Sequence, residues 1–258
     1  MTTIEPSPIP VLAPFEVVNP DGKAPILITC DHAENHIPDD LERLGLDPDR
    51  LGEHIAYDIG AKQVAIQLSK RFDAPLLLAK YSRLVVDLNR FPDDPSLIPS
   101  HSDGHQIPGN QGLAPTDRGA RIARFFTPYH HKHQALVDQL VERHSKPLIF
   151  AVHSFTPIMN DIVRPWHYGV LWDRCAALGH ALADALEQDR SLIIGRNQPY
   201  NAVEPKGYSL NVHAQDRDIP MGLIEIRQDL IVDKSGQHNS ARIVGDALAY
   251  VQNGAGWS

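Results

Sequence analysis

Apolar and polar positions along the chain fall into short runs whose period switches between that of a strand and that of a helix. A continuous apolar stretch at 25–30 (PILITC) empties into the polar segment DHAENHIPDD, the pattern of a buried strand ending in a loop. Over 56–72 (AYDIGAKQVAIQLSKRF) Ile59, Val64, Ala65 and Leu68 lie near helical spacing, with Asp58 placed for the first turn. Strands are predicted next at 75–79 and 84–88, separated by KYSR. Residues 91–116 are rich in proline and turn formers and predict a long irregular loop, which inside a compact domain is usually functional or disordered. A helix follows over 117–144 with Thr116 as its N-cap, then strands at 147–152 and 167–172 and a helix at 173–188. Strands at 191–194 and 222–226 and a helix at 240–252 complete the pattern. Strands separated by helices of this length predict a single α/β domain over 1–258, with a largely parallel or mixed central sheet and helices on both faces. Residues 1–23 read as an extended N-terminal arm.

Composition narrows the class. At 42% hydrophobic and 22% charged residues the chain can bury a full core, which excludes a disordered, collagen-like or coiled-coil protein. No stretch reaches the roughly 18 to 20 apolar residues that span a bilayer, and the N-terminus lacks the basic and apolar regions of a signal peptide. A soluble cytoplasmic protein with no membrane partner is expected. The net charge of −8 argues against a nucleic-acid partner, since phosphate neutralisation needs a basic face. Cys30 and Cys175 are far apart and outside any CxxC spacing, so they read as buried free thiols and exclude a cysteine-rich zinc site. Fourteen histidines are the feature that stands out.

In open α/β sheets, sites form beyond the carboxyl ends of strands. Here four such ends carry polar groups: Asp31-His32, Asp87 to Arg90, His153-Ser154, and Glu225 to Arg227. A catalytic zinc takes about three protein ligands, commonly two histidines and a carboxylate, and leaves a position for water. His32 and His153 meet the first requirement, and Asp31, Glu34 and Asp58 compete for the second. Glu225, in the apolar setting GLIEI, suits a general base. Arg83, Arg90, Arg164 and Arg227 offer planar forks for an acidic substrate. The cluster YHHKH at 129–133 lies mid-helix, where only His130 and His133 share a face, and reads as a solvated surface.

The segments CDHAENHIP, HIAYDIGA, YSRLVVDLNR, PGN, FFTPYH, VHSFTP, RPW, NQPY and IEIRQDL, in that order, resemble the N-formylglutamate amidohydrolase family over about residues 24–252. Asn89-Arg90 followed by His153-Ser154 also resembles the wider zinc carboxypeptidase and aspartoacylase fold group. The resemblance implies a phosphorylase/hydrolase-like, zinc-carboxypeptidase-like α/β fold and one catalytic Zn2+ on His32 and His153. It also implies Glu225 as base and Asn89 and Arg90 on the substrate carboxylate. Carboxypeptidases place a carboxylate ligand three residues after the first histidine, where this chain has Asn35, a poor zinc ligand. Asp58, in HIAYDIGA, is therefore the favoured third ligand, with Glu34 second. His213, in NVHAQDRD, is a candidate substrate contact or proton donor. The expected activity is zinc-dependent hydrolysis of an N-formyl or N-acyl amino acid. The alternatives are a non-catalytic small-acid binder on the same fold and a deacylase for longer N-acyl amino acids.

Overall fold

The computed structural model describes residues 13–201 and 207–254. Seven strands, numbered in chain order, form the central sheet: β1 Phe15–Val18, β2 Ile26–Cys30, β3 Leu76–Ala79, β4 Leu148–Phe155, β5 Tyr168–Leu171, β6 Ile194–Arg196 and β7 Met221–Arg227. Their spatial order is β1-β3-β2-β4-β7-β5-β6. β3, β2, β4 and β7 run parallel, whereas β1 pairs antiparallel with β3 and β5 antiparallel with β7. The sheet is thus mixed. β2, β4 and β7, neighbours in space, deliver their carboxyl ends to one edge, and those ends carry His32, His153 and Glu225.

β2, β3 and β4 are buried at every residue because both faces are covered. Strand alternation sends Ile26, Ile28, Leu76, Leu78, Phe150 and Val152 into one apolar layer under α1 (Ala61–Phe72), α4 (Ala176–Leu186) and α6 (Lys234–Asn253). Leu27, Leu77, Ile149 and Ala151 enter the other layer, under α3 (Thr127–Arg143) and the loops of the first half.

Several boundaries differ from the sequence pattern for identifiable reasons. Residues 84–88 are buried but form successive turns instead of a strand, with Val85 N donating to Ser82 O and Asp87 N to Leu97 O. A buried apolar run looks alike in strand and loop. The long helix is divided into α2 (Pro115–Arg121), a π turn at Ile122–Phe126, and α3. Its N-cap is Ala114 and not Thr116, because Pro115 occupies the first helical position, where its fixed φ is suited. α1 begins at Ala61, after Gly60 at φ +79°, so Asp58 stands in the preceding loop and not in the first helical turn. A Cβ on Gly60 would also meet the Ile231 carbonyl at 2.3 Å. α6 starts at Lys234, earlier than the apolar period indicates, since the Asp233 side chain caps it by accepting from Gly236 N. β4 continues through His153 to Phe155, so His153 sits within the strand.

Of the expected N-terminal arm, residues 15–18 add β1 to the sheet edge, and residues 1–12 lie outside the described residues. The 91–116 loop is pinned at Leu97, Ile98, Ile107 and Asn110, all buried, and Asn110 donates to Leu84 O and Pro99 O. Cys30 is a buried free thiol and Cys175 a half-buried one. Among the described residues no helix is long and apolar enough to cross a membrane.

Gly169 on β5 stands directly opposite Glu225 of β7, and a Cβ there would come within 2.0 Å of the Gln198 carbonyl. Backbone on that side cannot yield as a side-chain tip would. Gly169→Ala is therefore expected to destabilise the protein by about 1–3 kcal/mol, the usual cost of overpacking, read as a shift in denaturant midpoint at unchanged slope.

Candidate active site

β2 runs straight into Asp31 and His32. β4 and β7 pair in parallel with His153 beside Glu225, so both side chains rise on the same face at the same edge. The loop before α1 is tied to the end of β2 by Asp58 N donating to His32 O at 2.9 Å. The turns at 82–90 are fixed by the Ser82 hydroxyl, which donates to Ala56 O and accepts from Leu84 N. Those turns present Arg83, Asp87, Asn89 and Arg90 to the same place. All of these groups line one cavity of about 390 Å³.

At its floor Asp58 lies between two histidines. Its Oδ2 is 2.8 Å from His153 Nδ1 and its Oδ1 is 3.4 Å from His32 Nδ1, and the two ring centroids are 5.1 Å apart. Ser154 N also donates to Asp58 Oδ2 at 3.3 Å. His32 Nε2 bonds Asp87 Oδ1 at 2.8 Å, and Asp87 is held in turn by Arg83 Nη2 at 2.7 Å and by Asn89 N at 2.9 Å. All four of His32, Asp58, Asp87 and His153 are buried.

Charge explains the protonation states. Burial acts against ionisation of Asp58, but the charges of His32 and His153 and the hydrogen bond from His153 hold its carboxyl far below the ordinary range. Burial opposes charge on His153 too, yet the Asp58 hydrogen bond and the nearby carboxylates push it up to about 9. Asp87 is likewise kept ionised against its burial by Arg83 and His32. Glu225 behaves differently. Burial pushes its carboxyl up to about 7, against the pull of the His153 charge, and no basic side chain forms an ion pair with it among the described residues.

Among the buried atoms of cavity-lining residues that lack hydrogen-bond partners among the described residues are His32 Nδ1, His153 Nε2 and Glu225 Oε2. Burying an unpaired polar atom is costly, so such a cluster marks a ligand position. One donor atom each from His32, Asp58 and His153 lies within 4.8 Å of the others. Two imidazoles and a carboxylate match the donor set of catalytic zinc sites, and a carboxylate on the far nitrogen of a ligating histidine, as Asp87 sits on His32, is their usual outer support. The residues therefore fit a divalent metal.

Not every residue singled out in the sequence converges here. Arg164 stands behind the cavity wall, donating to the Tyr200 hydroxyl at 2.9 Å, and Tyr200 itself lines the cavity. Arg227 ends β7 turned away from it, bound to Asp229 at 2.7 Å and to Pro165 O. Glu34 pairs with Lys62, and the Asn35 amide donates to Leu51 O at 2.7 Å. Asp31 lines the cavity but accepts from the Tyr129 hydroxyl. His213 lies outside the cavity, against His130. The solvated-face reading of YHHKH is corrected: His130 and His133 are 5% and 0% exposed, because α5 (Tyr208–His213) packs over that face of α3. Asp87 was noted at a strand end but given no role, and Tyr200 was not singled out. A carboxylate inside the apolar run LVVDL was a signal for the first.

A family model described as N-formylglutamate amidohydrolase matches residues 24–232. The crystal structure of gene product Atu2144 from Agrobacterium tumefaciens is 34% identical, with a TM-score of 0.87 over 92% of this chain and 96% of that one. The crystal structure of N-formylglutamate amidohydrolase from Ralstonia eutropha JMP134 is 20% identical, with a TM-score of 0.74 over 94% and 98% of the two chains. At that identity the second likeness speaks for the fold alone. No curated protein matches the chain significantly.

Proposed function

The chain belongs to the N-formylglutamate amidohydrolase family, amidohydrolases that act on amide bonds, and from that premise we propose that it hydrolyses N-formyl or N-acyl amino acids with a zinc-activated water. The buried donor set of His32, Asp58 and His153, one donor atom of each within 4.8 Å of the others, with Glu225 in the same cavity, supports this most directly. His32, Asp58 and His153 would hold the ion, which when bound supplies a Lewis acid for the amide carbonyl and an acidified water.

Glu225 accepts the proton of the attacking water and returns it to the departing amine nitrogen, a transfer suited to a carboxyl with a pKa near the working pH. Asp87 holds His32 in one tautomer. Arg83 is already matched by Asp87 and lies 3.7 Å from Asp58, so it braces the site. Arg90, which lines the cavity and donates to Asn89 O, is the better clamp for the substrate carboxylate, beside the Asn89 amide. A non-catalytic binder would follow from a missing third ligand, and Asp58 supplies a carboxylate between the two histidines. A cavity of about 390 Å³ falls in the range that encloses drug-sized ligands, which favours as a second reading a deacylase for acyl groups longer than formyl.

A panel of N-formyl, N-acetyl and longer N-acyl amino acids, followed by release of free amine, tests the proposal. Hydrolysis is expected for free α-carboxylates and not for the matching carboxamides. Charge-assisted hydrogen bonds contribute about 1.5–3 kcal/mol, so Arg90→Ala should raise KM roughly 10- to 150-fold with kcat nearly unchanged. A zinc-loaded protein that cleaves none of the panel would overturn the assignment.

A further inference from the structure

A second group of histidines lies outside the candidate active site, on α3 and α5. One ring nitrogen each from His130, His133 and His213 lies within 4.8 Å of the others, and all three rings are buried. Their outer hydrogen bonds determine where the protons sit. His130 Nε2 is 2.9 Å from the Leu88 carbonyl, which can only accept, so Nε2 carries the hydrogen. His213 Nδ1 is 3.3 Å from Gln134 Oε1. The orientation of that amide is set by its Nε2 donating to Asp138 at 2.9 Å, so His213 Nδ1 carries the hydrogen as well.

A neutral imidazole has one ring hydrogen. His130 Nδ1 and His213 Nε2 consequently face each other with lone pairs across 3.0 Å, an arrangement that repels unless a cation lies between them. His133 completes the picture. It is 0% exposed, its ring centroid is 4.0 Å from that of His213, and neither of its nitrogens has a hydrogen-bond partner among the described residues. An ordinary core position would not leave both nitrogens of a buried imidazole unsatisfied.

We propose that His130, His133 and His213 bind a second divalent transition-metal ion, separate from the one at His32, Asp58 and His153. Imidazole nitrogen suits zinc, and bonds of about 2.0–2.1 Å in a tetrahedral site put neighbouring donors ~3.3 Å apart, so the present 3.0 Å gap need open by only a few tenths of an ångström. The N–H groups of His130 and His213 that point outward onto oxygen acceptors are the usual outer support of metal-bound histidine. A proton is the weaker occupant: burial, with the neighbouring histidine charge, lowers His130 to about 3, and burial lowers His213 to about 4. The buried Asp31 carboxylate nearby favours positive charge at both rings. Such an ion would fasten α3 to α5 and, through His130 and Leu88 O, support the turn that carries Asp87, Asn89 and Arg90.

Zinc per folded chain, measured after loading with excess zinc and equilibrium dialysis, tests the second site without relying on activity. Two ions are expected in the wild type, one in His133→Leu, one in His32→Ala/His153→Ala, and none in the triple variant. Circular dichroism checks the fold of each. Equal zinc in His133→Leu and the wild type overturns the second site, whatever the first site does, and so does zinc-free His32→Ala/His153→Ala. Should His133→Leu fail to fold, melting of His32→Ala/His153→Ala with and without zinc decides the matter. A rise in Tm supports the site and an unchanged Tm refutes it.

Discussion

Glu225→Gln is expected to keep the fold and substrate binding and to lose hydrolysis by roughly 10²- to 10⁴-fold in kcat, the usual size of a general acid–base contribution. Glutamine has nearly the same shape and keeps an oxygen in the cavity, but it cannot take up and release a proton. The surroundings of Glu225 leave its carboxyl free for that work. β7 sets it beside His153 and opposite Gly169, its Oε2 has no hydrogen-bond partner among the described residues, and burial brings its pKa to about 7. Steady-state kinetics with calorimetric titration of an N-acyl amino acid would separate the effects. A large fall in kcat with unchanged affinity is expected, and a change in kcat below about threefold would remove Glu225 from the proton transfer.

Asp58→Asn is expected to empty the first metal site and, with it, to reduce hydrolysis to the level of chelated protein. Asp58 is the anion between two buried histidines, with one oxygen toward each, and the backbone N–H of Ser154 adds to the hold. An amide keeps the volume but removes the charge that offsets a divalent ion. It also leaves His153 without its anion and His32 with Asp87 alone, and breaking a buried pair of this kind costs about 3–5 kcal/mol, so the metal-free variant should melt below the metal-free wild type. Zinc content and denaturant unfolding of the same preparation read both consequences.

Much of the fold was legible because β2, β3 and β4 are buried on both faces and so appear as unbroken apolar runs between helical periods. The misreadings came where the same signal has two structural origins. Leu84 to Leu88 is as apolar as a strand but is buried beneath the pinned 91–116 loop, which gives Asp87 N its acceptor at Leu97 O. The placement of Asp58 near His32 and His153 could be anticipated only through the HIAYDIGA resemblance, since the chain reaches the site by a loop bound to His32 O and not by a helix face. Asp87 was hidden because its role depends on meeting His32, 55 residues away in sequence, across two elements. His130 and His133 were correctly placed on one helix face, yet periodicity says nothing about what covers a face. α5, distant in the chain, covers this one.

In the proposed reaction, amide hydrolysis depends on a metal held by His32, Asp58 and His153. The most direct measurement is the rate on an N-acyl amino acid of protein stripped by a chelator and then titrated with zinc, beside His153→Ala treated in the same way. Stripped wild type should be inactive and regain its rate as zinc is added, while His153→Ala stays inactive throughout. Full activity in wild type shown to be free of metal would contradict it.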